Sequence, residues 1–320
     1  MPVMGPSHDL AHPVGVDPAW SESYYFNAYA PAADVGFFAR VGIRPNAGTM
    51  DGFVWAWLPD GRAGRLHELA ACDSMVDSVL EVGGIRFEMV EPMRRWRLRA
   101  HGDVGEGHHL AFDATFDALM PAIVVDRTAA SAGDEAIAAA RASLATGHLE
   151  QAGAWTGSVT VGDDTFSLDG ARGNRDKSWG PRRADGGGGM TAWRWFSVNI
   201  GDDTHLGGVR ISTNAGDVHR GWIWTDGAAS SIRDWAITTR AASDAVRHES
   251  LDVVVSDKRG REYRLHGDVL RAEALGEGDR ARLLVYEGLT RWELDGDVGY
   301  GISEYAHVLD DDGRPLAPVT

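Results

Sequence analysis

The stretch of the sequence richest in groups that could do chemistry is residues 173–182, GNRDKSWGPR, where charged side chains and an indole lie among glycines and a proline. Asp176 stands between Arg175 and Lys177, and Arg182 follows a Gly-Pro pair that could fold it back. Cationic neighbours favour a carboxylate over a carboxylic acid, so Asp176 suits a general base or an orienting group better than a proton donor. The alternative interpretation is a salt-bridged corner. We predict a tight corner here, with Asp176 paired to Arg182.

A second candidate for proton transfer is His148. If residues 147–151 are extended, His148 and Glu150 lie on the same face of a strand, because side chains alternate along a strand. Near a cavity His148 could shuttle a proton. The alternative is a surface histidine or one that packs without a chemical role.

The third candidate is a pair near the end of the sequence. A strand over residues 300–305 would place Tyr300 and Glu304 on one face, where an acidic side chain beside a phenol could form an acid–base pair. Alternatively, Glu304 faces water and Tyr300 packs in the core. The predicted catalytic residues are Asp176, Glu304, Tyr300 and His148.

The twelve tryptophans are a different signal. Trp193 and Trp195 lie on one face of a predicted strand, and large rings commonly fill β cores. A cavity lined by indoles would also suit an isoprenoid or a steroid, and could stabilise a cationic intermediate through cation–π attraction. The predicted ligand-binding residues are Trp179, Arg182, Trp193, Trp195 and Trp222.

Several common catalytic motifs do not fit the sequence. His108 and His109 are adjacent and would point to opposite faces of a strand, and no His/Cys/Asp spacing is typical of zinc. The run Gly186–Gly189 lacks the features of a phosphate loop or a dinucleotide fingerprint. Neither Ser178 nor Ser303 lies in a GxSxG elbow. We predict no metal and no cofactor.

Composition narrows the partners. The chain has 320 residues and a net charge of −16, which would repel nucleic acid and anionic membranes. Cys72 is the sole cysteine, so no intrachain disulfide is possible and a reducing compartment fits. The first thirty residues lack the apolar core of a signal peptide, and no segment approaches the roughly 18 apolar residues of a membrane span. We predict a cytoplasmic protein that binds a hydrophobic small molecule, with no nucleic-acid partner and no membrane span.

The elements that must position these residues are mostly short strands. Runs such as 53–57, FVWAW, and 157–161, GSVTV, alternate as strands do, and Asp-Gly pairs separate many of them. Only Asp134–Ala145 has a helical pattern, with Ser131 or Asp134 as its N-cap. This pattern predicts an all-β protein built from barrels or a sandwich, with one short helix.

The sequence also repeats weakly. Residues 91–98, EPMRRWRL, match residues 287–294, EGLTRWEL, and the earlier WAW…DG of residues 55–61 matches the WIW…DG of residues 222–227. Two signatures in the same order favour a duplicated β domain with a junction near the GNRDKSWGPR stretch. The predicted divisions are an N-terminal tail, 1–19, a first domain, 20–185, and a second domain, 186–320.

The RDxSWGxR core, together with Tyr25-Phe-Asn27 and the segments 147–151, 287–291 and 299–305, resembles a known family. It is similar to the tandem lipocalin-like proteins of the hydroxyneurosporene synthase (carotenoid 1,2-hydratase) and AttH type, and most similar to a separate bacterial branch of them. The type includes carotenoid hydratases, lipocalin-like cyclases and Diels–Alderases. The resemblance implies two lipocalin-like (calycin) β-barrels packed together, with a largely apolar cavity.

Two functions follow as expectations. The leading one is a cofactor-independent hydratase, isomerase or cyclase acting on an isoprenoid- or steroid-like molecule bound near the domain junction. The alternative is a non-catalytic carrier of the same class of ligand, which needs shape and one polar anchor but no acid–base group facing its cavity. A purely structural role is disfavoured by the polar residues at the junction. The sequence leaves the oligomeric state open.

Overall fold

The computed structural model describes residues 5–72, 78–105, 108–125, 132–183, 188–244, 246–275, 282–317 and 319. Within these residues the chain forms twenty strands and one α-helix, together with the short 3-10 turns Pro6–His8 and Pro45–Ala47. The strands are β1 (Trp20–Ala30), β2 (Val35–Arg44), β3 (Thr49–Trp57), β4 (Ala63–Ala71), β5 (Val79–Val82), β6 (Ile85–Glu91), β7 (Arg95–Asp103), β8 (His109–Ala118), β9 (Ile123–Val124), β10 (Gly147–Val161), β11 (Asp164–Ser167), β12 (Ala171–Pro181), β13 (Met190–Ile200), β14 (Thr204–Thr213), β15 (Gly216–Thr225), β16 (Ala228–Ala241), β17 (His248–Asp257), β18 (Glu262–Leu275), β19 (Leu283–Leu294) and β20 (Asp297–Val308).

The fold is all-β, with two lipocalin-like barrels and one helix, and this prediction is confirmed. Contacts divide the chain into two compact units. The first unit comprises residues 2–123 and 147–180, and the second comprises residues 124–146 and 181–320.

The first unit is a nearly closed barrel. Its strands follow the order β4-β3-β2-β1-β12-β10-β8-β7-β6-β5, with β4 and β5 in contact, and β9 and β11 pair with β10. Alternate residues of β1 point inward, where the ring of Phe26 lies 5.6 Å from Trp96, 6.0 Å from Phe116 and 5.9 Å from Trp155, centroid to centroid. Inclined and edge-to-face packing of large rings fills this core.

The predicted corner at residues 173–182 is wrong, because Ala171–Pro181 is one continuous strand between β1 and β10. Residues 171–179 pair in unbroken antiparallel register with residues 155–147 of β10. Gly180 has φ +120° and Pro181 is the last residue, so the two end the strand instead of folding it back. The charged residues remain compatible with a strand because their side chains alternate between two faces and each face supplies partners.

The N-terminal segment is attached to the first barrel through a buried ion pair. Asp9 and Arg175 are 0% and 1% exposed, and their side chains meet at 2.5 Å (Nη1–Oδ1) and 3.1 Å (Nη2–Oδ2). Asp9 also accepts a 2.5 Å bond from the backbone N–H of Met93, in the β6–β7 turn. Gln151 accepts a bond from Arg175 and donates to the carbonyls of Met93 and Met120. The segment is thereby tied to β12 and to the β6–β7 turn, and Gln151 of β10 links these two parts.

The second unit is a closed barrel in which each strand from β13 to β20 pairs with the next and β20 pairs with β13. Its apolar core includes Phe196, Trp235 and Trp292, with ring centroids 5.3 Å and 5.9 Å from Phe196. Gly221 faces Trp235 so closely that a Cβ there would lie 2.9 Å from the indole. A side chain at position 221 would displace the ring.

The helix α1 (Asp134–Ser143) ends two residues earlier than the predicted helix and contacts β13, β14 and β15. Gly133 is the N-cap residue and makes no side-chain capping bond, so the prediction of Asp134 as the cap is wrong. Ser131, the other predicted cap, lies outside the described residues. Asp134 and Glu135 stand instead in the first turn, where carboxylates favour the positive end of the helix dipole. No described helix is long and apolar enough to cross a membrane.

We predict that Asp9→Ala lowers the free energy of unfolding by about 3–5 kcal/mol, because it leaves the Arg175 guanidinium buried without its carboxylate. Denaturation in urea measures this change. The matched control is Asp117→Ala, which removes the partner of Arg95 from an exposed pair on the same barrel, where both side chains are about half exposed. The control should change stability little. Equal losses in the two variants would contradict the role of the buried pair.

Candidate functional site

The candidate site lies where β10 and β12 run side by side in the first unit. Glu150 is directly opposite Asp176, and His148 is directly opposite Ser178. Because opposed residues of antiparallel strands point to the same side, all four share one face of the sheet. This confirms that His148 and Glu150 share a face.

His148 and Asp176 form a hydrogen-bonded pair. His148 Nε2 lies 2.5 Å from Asp176 Oδ2 and 3.5 Å from Glu150 Oε1. The side chains of His148 and Asp176 are about one-fifth exposed, whereas that of Glu150 is fully buried. An imidazole and a carboxylate at this distance can pass a proton between them, and both remain accessible to a small molecule.

The same three residues are also a possible set of metal ligands, since their donor atoms all lie within 4.8 Å of one another. Spacing along the sequence did not reveal this set, because Asp176 is contributed by β12 and the other two by β10. The absence of a bound metal stays a prediction. Histidine nitrogen and carboxylate oxygen are ligands that Zn²⁺ and other divalent cations accept.

The flanking cations of Asp176 do not share its face. Arg175 and Lys177 point to the barrel interior, where Arg175 binds Asp9 and Lys177 binds Glu22 at 2.9 Å. Strand alternation thus turns the two cations that adjoin Asp176 in the sequence away from its carboxylate. The predicted pairing with Arg182 is wrong as well, since the Asp176 carboxylate is bonded to His148.

Trp179 lies on the interior face with Lys177. Its ring stacks on His12 of the N-terminal segment, with centroids 3.8 Å apart and planes 7° apart. His12 in turn bonds Glu22 at 2.9 Å, and Lys177 donates to the Leu10 carbonyl at 2.5 Å. Burial opposes ionisation of Glu22, but the hydrogen bond from His12 and the charge of Lys177 outweigh it and hold the pKa of Glu22 below its ordinary value. Trp179 thus helps to hold the N-terminal segment.

The remaining predicted ligand residues belong to the second unit. Trp193 and Trp195 share the outer face of β13, as predicted, and are 4% and 5% exposed. The Arg182 guanidinium lies over the Trp193 ring, 5.7 Å from its centroid. Trp222, on β15, is on the same outer face and fully buried. The three indoles thus lie on the outer face of the second barrel and are nearly buried.

Glu304 also lies on this outer face, opposite Trp195, and accepts a hydrogen bond from the Trp193 indole N–H. Tyr300 shares the face but is opposite Asn199, four residues from Glu304 on β20. Four positions of a strand span roughly 13 Å, so the two are at separate points of the strand and the predicted acid–base pair is not formed by adjacent groups.

The sequence reasoning missed a buried polar cluster inside the second barrel. Its members are the inward-facing side chains of Arg194, Thr239, His248, Ser303, Tyr305 and His307. The members of the cluster on β20 have odd numbers. The predicted residues on the same strand, Tyr300 and Glu304, have even numbers and lie on the other face. The signal in the sequence was the alternation of polar Ser303, Tyr305 and His307, which is unusual for the inner face of a barrel.

The pKa values of both histidines in this cluster lie well below the ordinary value for histidine. Burial lowers the pKa of His248 to about 3 and that of His307 to about 4, and the nearby Arg194 charge adds to the effect at His307. Burial also raises the pKa of Tyr305. At neutral pH the two imidazoles are therefore uncharged, and Tyr305 keeps its proton.

Comparison with known proteins identifies the family. Residues 5–309 match the model of the family described as "Domain of unknown function (DUF7064)". The chain belongs to this family. The sequence matches no curated protein.

The fold is shared with several solved structures, at 13% sequence identity in each case. An AttH-like protein of Nitrosomonas europaea matches with a TM-score of 0.62, covering 90% of this chain and 92% of that one. Kievitone hydratase of Nectria haematococca matches with a TM-score of 0.61, covering 89% and 88%. CghA, solved with Sch210972, matches with a TM-score of 0.54, covering 93% and 90%. The AttH part of the predicted resemblance agrees with this fold, and the hydroxyneurosporene synthase type stays a prediction.

We predict that acidification destabilises the protein partly through His307. Its folded pKa of about 4 is below the ordinary 6.5, so the unfolded chain binds more protons between those values. The stability is present above pH 6.5 and is lost as the pH falls toward 4, up to about 3 kcal/mol for this residue. Urea unfolding of His307→Phe at pH 7 and pH 5 should show a shallower loss of stability than the parent protein does.

His266 supplies a control of opposite sign. Its hydrogen bond to Asp252 raises its pKa, so its contribution is present at low pH and is lost as the pH rises. His266→Gln should make the loss on acidification slightly steeper. A His307→Phe variant whose pH dependence equals that of the parent would show that His307 does not titrate as described.

Proposed function

We propose that this protein is an enzyme that moves protons on a hydrophobic, isoprenoid- or steroid-like small molecule, as a cofactor-independent hydratase, isomerase or cyclase. The observation that carries the proposal is the pair of His148 and Asp176, joined at 2.5 Å and both partly exposed. Glu150, fully buried at 3.5 Å from the same imidazole nitrogen, adds a second carboxylate beside His148.

The proposed reaction needs two proton movements. Adding water to an alkene requires a proton on carbon and removal of a proton from water, and an isomerisation requires both steps on the substrate. A paired imidazole and carboxylate can serve as donor and acceptor in turn, since a proton given up by one can be replaced from the other. Arg175 and Lys177 point to the opposite face and pair with Asp9 and Glu22, so the partner of Asp176 is His148.

His148 Nε2 and Asp176 Oδ2 lie at the separation of a hydrogen-bonded pair, as proton transfer requires. Metal removal tests whether the same atoms, with Glu150, hold a cation instead.

The predicted ligand residues Trp193, Trp195 and Trp222 stay candidates, since indoles suit a hydrocarbon and stabilise a carbocation. All three are nearly buried in the second unit. In the proposal Arg182, over Trp193, and Glu304, bonded to the same indole, orient that ring. Trp179 acts through the N-terminal segment, and Tyr300 remains a candidate polar anchor.

The structural neighbours support a reaction of this class. One is named a hydratase, for kievitone, and another was solved with the small molecule Sch210972. Shared fold alone does not determine chemistry, so the proposal rests on the His148–Asp176 pair and uses the neighbours to choose probes.

We predict that Asp176→Asn and His148→Gln each lower turnover by about 10²- to 10⁴-fold, because each removes one half of the proton-transfer pair. Kievitone and farnesol serve as probes, incubated in H₂¹⁸O, and mass spectrometry detects products that have gained one water or have been rearranged. Mass spectrometry of ligand that co-purifies with the protein extends the panel. Circular dichroism verifies that the variants are folded.

The matched control is Asp234→Asn, which alters another carboxylate paired with a histidine, His219, in the second unit. It should leave turnover unchanged. If the parent protein binds a compound but converts neither the supplied probes nor any ligand that co-purifies with it, the protein is a carrier. Full turnover by Asp176→Asn would place the reaction elsewhere.

We also predict that dialysis against EDTA leaves turnover unchanged, because the proposed chemistry uses only side-chain protons. Turnover of the chelated protein is compared with that of the same protein after addition of Zn²⁺ or Mg²⁺. A loss restored by either cation would show that His148, Glu150 and Asp176 act as metal ligands instead.

A further inference from the structure

The interior of the second barrel is divided into an apolar half and a polar half. Phe196, Trp235 and Trp292 belong to the apolar core. The polar cluster begins beside this core, where the Tyr305 ring centroid lies 6.4 Å from that of Phe196, and continues toward one end of the strands. Arg194 is near the start of β13, and Tyr305 and His307 are near the end of β20. In an antiparallel barrel the start of one strand and the end of the next are at the same rim, so the cluster is at one end of the barrel.

That end of the barrel is accessible. Arg210, Asp217, Thr239 and Tyr286 point inward at the same strand ends and are partly exposed. Solvent therefore reaches the rim next to the cluster. A small molecule could enter by the same route.

The cluster is organised around the Tyr305 ring. His248 stacks on it, with centroids 4.1 Å apart and planes 14° apart, and its Nε2 lies 2.8 Å from Ser303 Oγ. The Tyr305 hydroxyl is 2.7 Å from Thr239 Oγ1, and the Arg194 guanidinium lies 5.1 Å from the ring centroid. Gly288 makes room for His248, because a Cβ there would lie 2.6 Å from the imidazole. The rings are held in defined positions.

Two imidazoles in this cluster have unused hydrogen-bonding capacity. His307 is fully buried, and neither ring nitrogen has a hydrogen-bond partner among the residues that the structure describes. His248 is 1% exposed, and its Nδ1 likewise has none within the described part of the chain. Buried polar atoms are nearly always paired, because leaving one unpaired is costly. Such atoms beside an accessible rim point to a ligand.

We propose that the polar end of the second barrel binds a small carboxylate with a planar apolar body. The Arg194 guanidinium supplies the charge that a carboxylate requires, and His307, as a neutral imidazole, supplies one N–H donor. The stacked rings of Tyr305 and His248 suit contact with the aromatic part of the ligand.

The size of the ligand follows from the packing. An eight-stranded barrel has room for its own side chains or for one small ligand. Phe196, Trp235 and Trp292 occupy the apolar part of the interior, so the proposed guest is small and lies at the polar end. The site is independent of the proposed function, since the His148–Asp176 pair belongs to the first unit.

Titration of the full-length protein with cinnamate in a calorimeter tests the proposal, with cinnamyl alcohol as the uncharged probe. We expect one cinnamate per chain with a Kd of about 1 mM or tighter, and weaker binding of the alcohol. Arg194→Met should weaken cinnamate binding at least about tenfold and change binding of the alcohol little. His307→Phe should weaken cinnamate binding as well.

Two control variants test whether cinnamate binds at this end of the second barrel. Arg240→Met removes an exposed arginine of the same barrel, paired with Glu249, and should leave binding unchanged. Asp176→Asn should also leave it unchanged, whatever its effect on turnover. Replacing a buried charge with an apolar side chain of similar length is often tolerated, and His307→Phe gives a second variant if Arg194→Met does not fold.

Absence of cinnamate binding to the parent protein would overturn the proposal. So would binding that survives both Arg194→Met and His307→Phe, or binding that is lost in Asp176→Asn. The last result would assign cinnamate to the first unit and leave the proposed function standing.

Discussion

The two-residue alternation of β12 is the constraint on which the candidate site depends. Within five residues this strand sends Arg175, Lys177 and Trp179 to the barrel interior and Asp176 and Ser178 to the other face. Arg175 pairs with Asp9 of the N-terminal segment, and Lys177 pairs with Glu22 of β1, which in turn bonds His12 of the segment. On the outward face, Asp176 bonds His148. Because one backbone carries both sets, the ion pairs that fasten the segment also position the strand that presents Asp176.

The two barrels bury polar groups in different ways. In the first, charges are matched by opposite charges: Asp9 meets Arg175, and Glu22 meets Lys177. In the second, the charged Arg194 lies among neutral groups, since His248 and His307 are uncharged at neutral pH and Tyr305 keeps its proton. Matched charges stabilise one fixed arrangement, whereas neutral imidazoles can accept a guest without a large desolvation cost.

The two units therefore present different sets of polar and aromatic side chains. The first unit couples its structural ion pairs to the partly exposed His148–Asp176 pair, and the second carries nearly buried indoles on its outer face and polar side chains at one end of its interior. The family shown by the sequence has no assigned activity, and the shared fold includes a hydratase, so the side chains of each barrel carry the functional argument.

The sequence by itself determined the local features. Alternation and Asp-Gly turns predicted an all-β chain, and the period of two placed His148 with Glu150 and Trp193 with Trp195, because these relations depend only on neighbours along one strand. The tertiary structure decided what those faces meet. Asp176 finds His148 because β10 pairs with β12, and Tyr305, not Glu304, faces the interior because barrel closure selects the odd-numbered side of β20. Strand partners and the choice of inner face depend on contacts between distant segments, which no pattern within one strand contains.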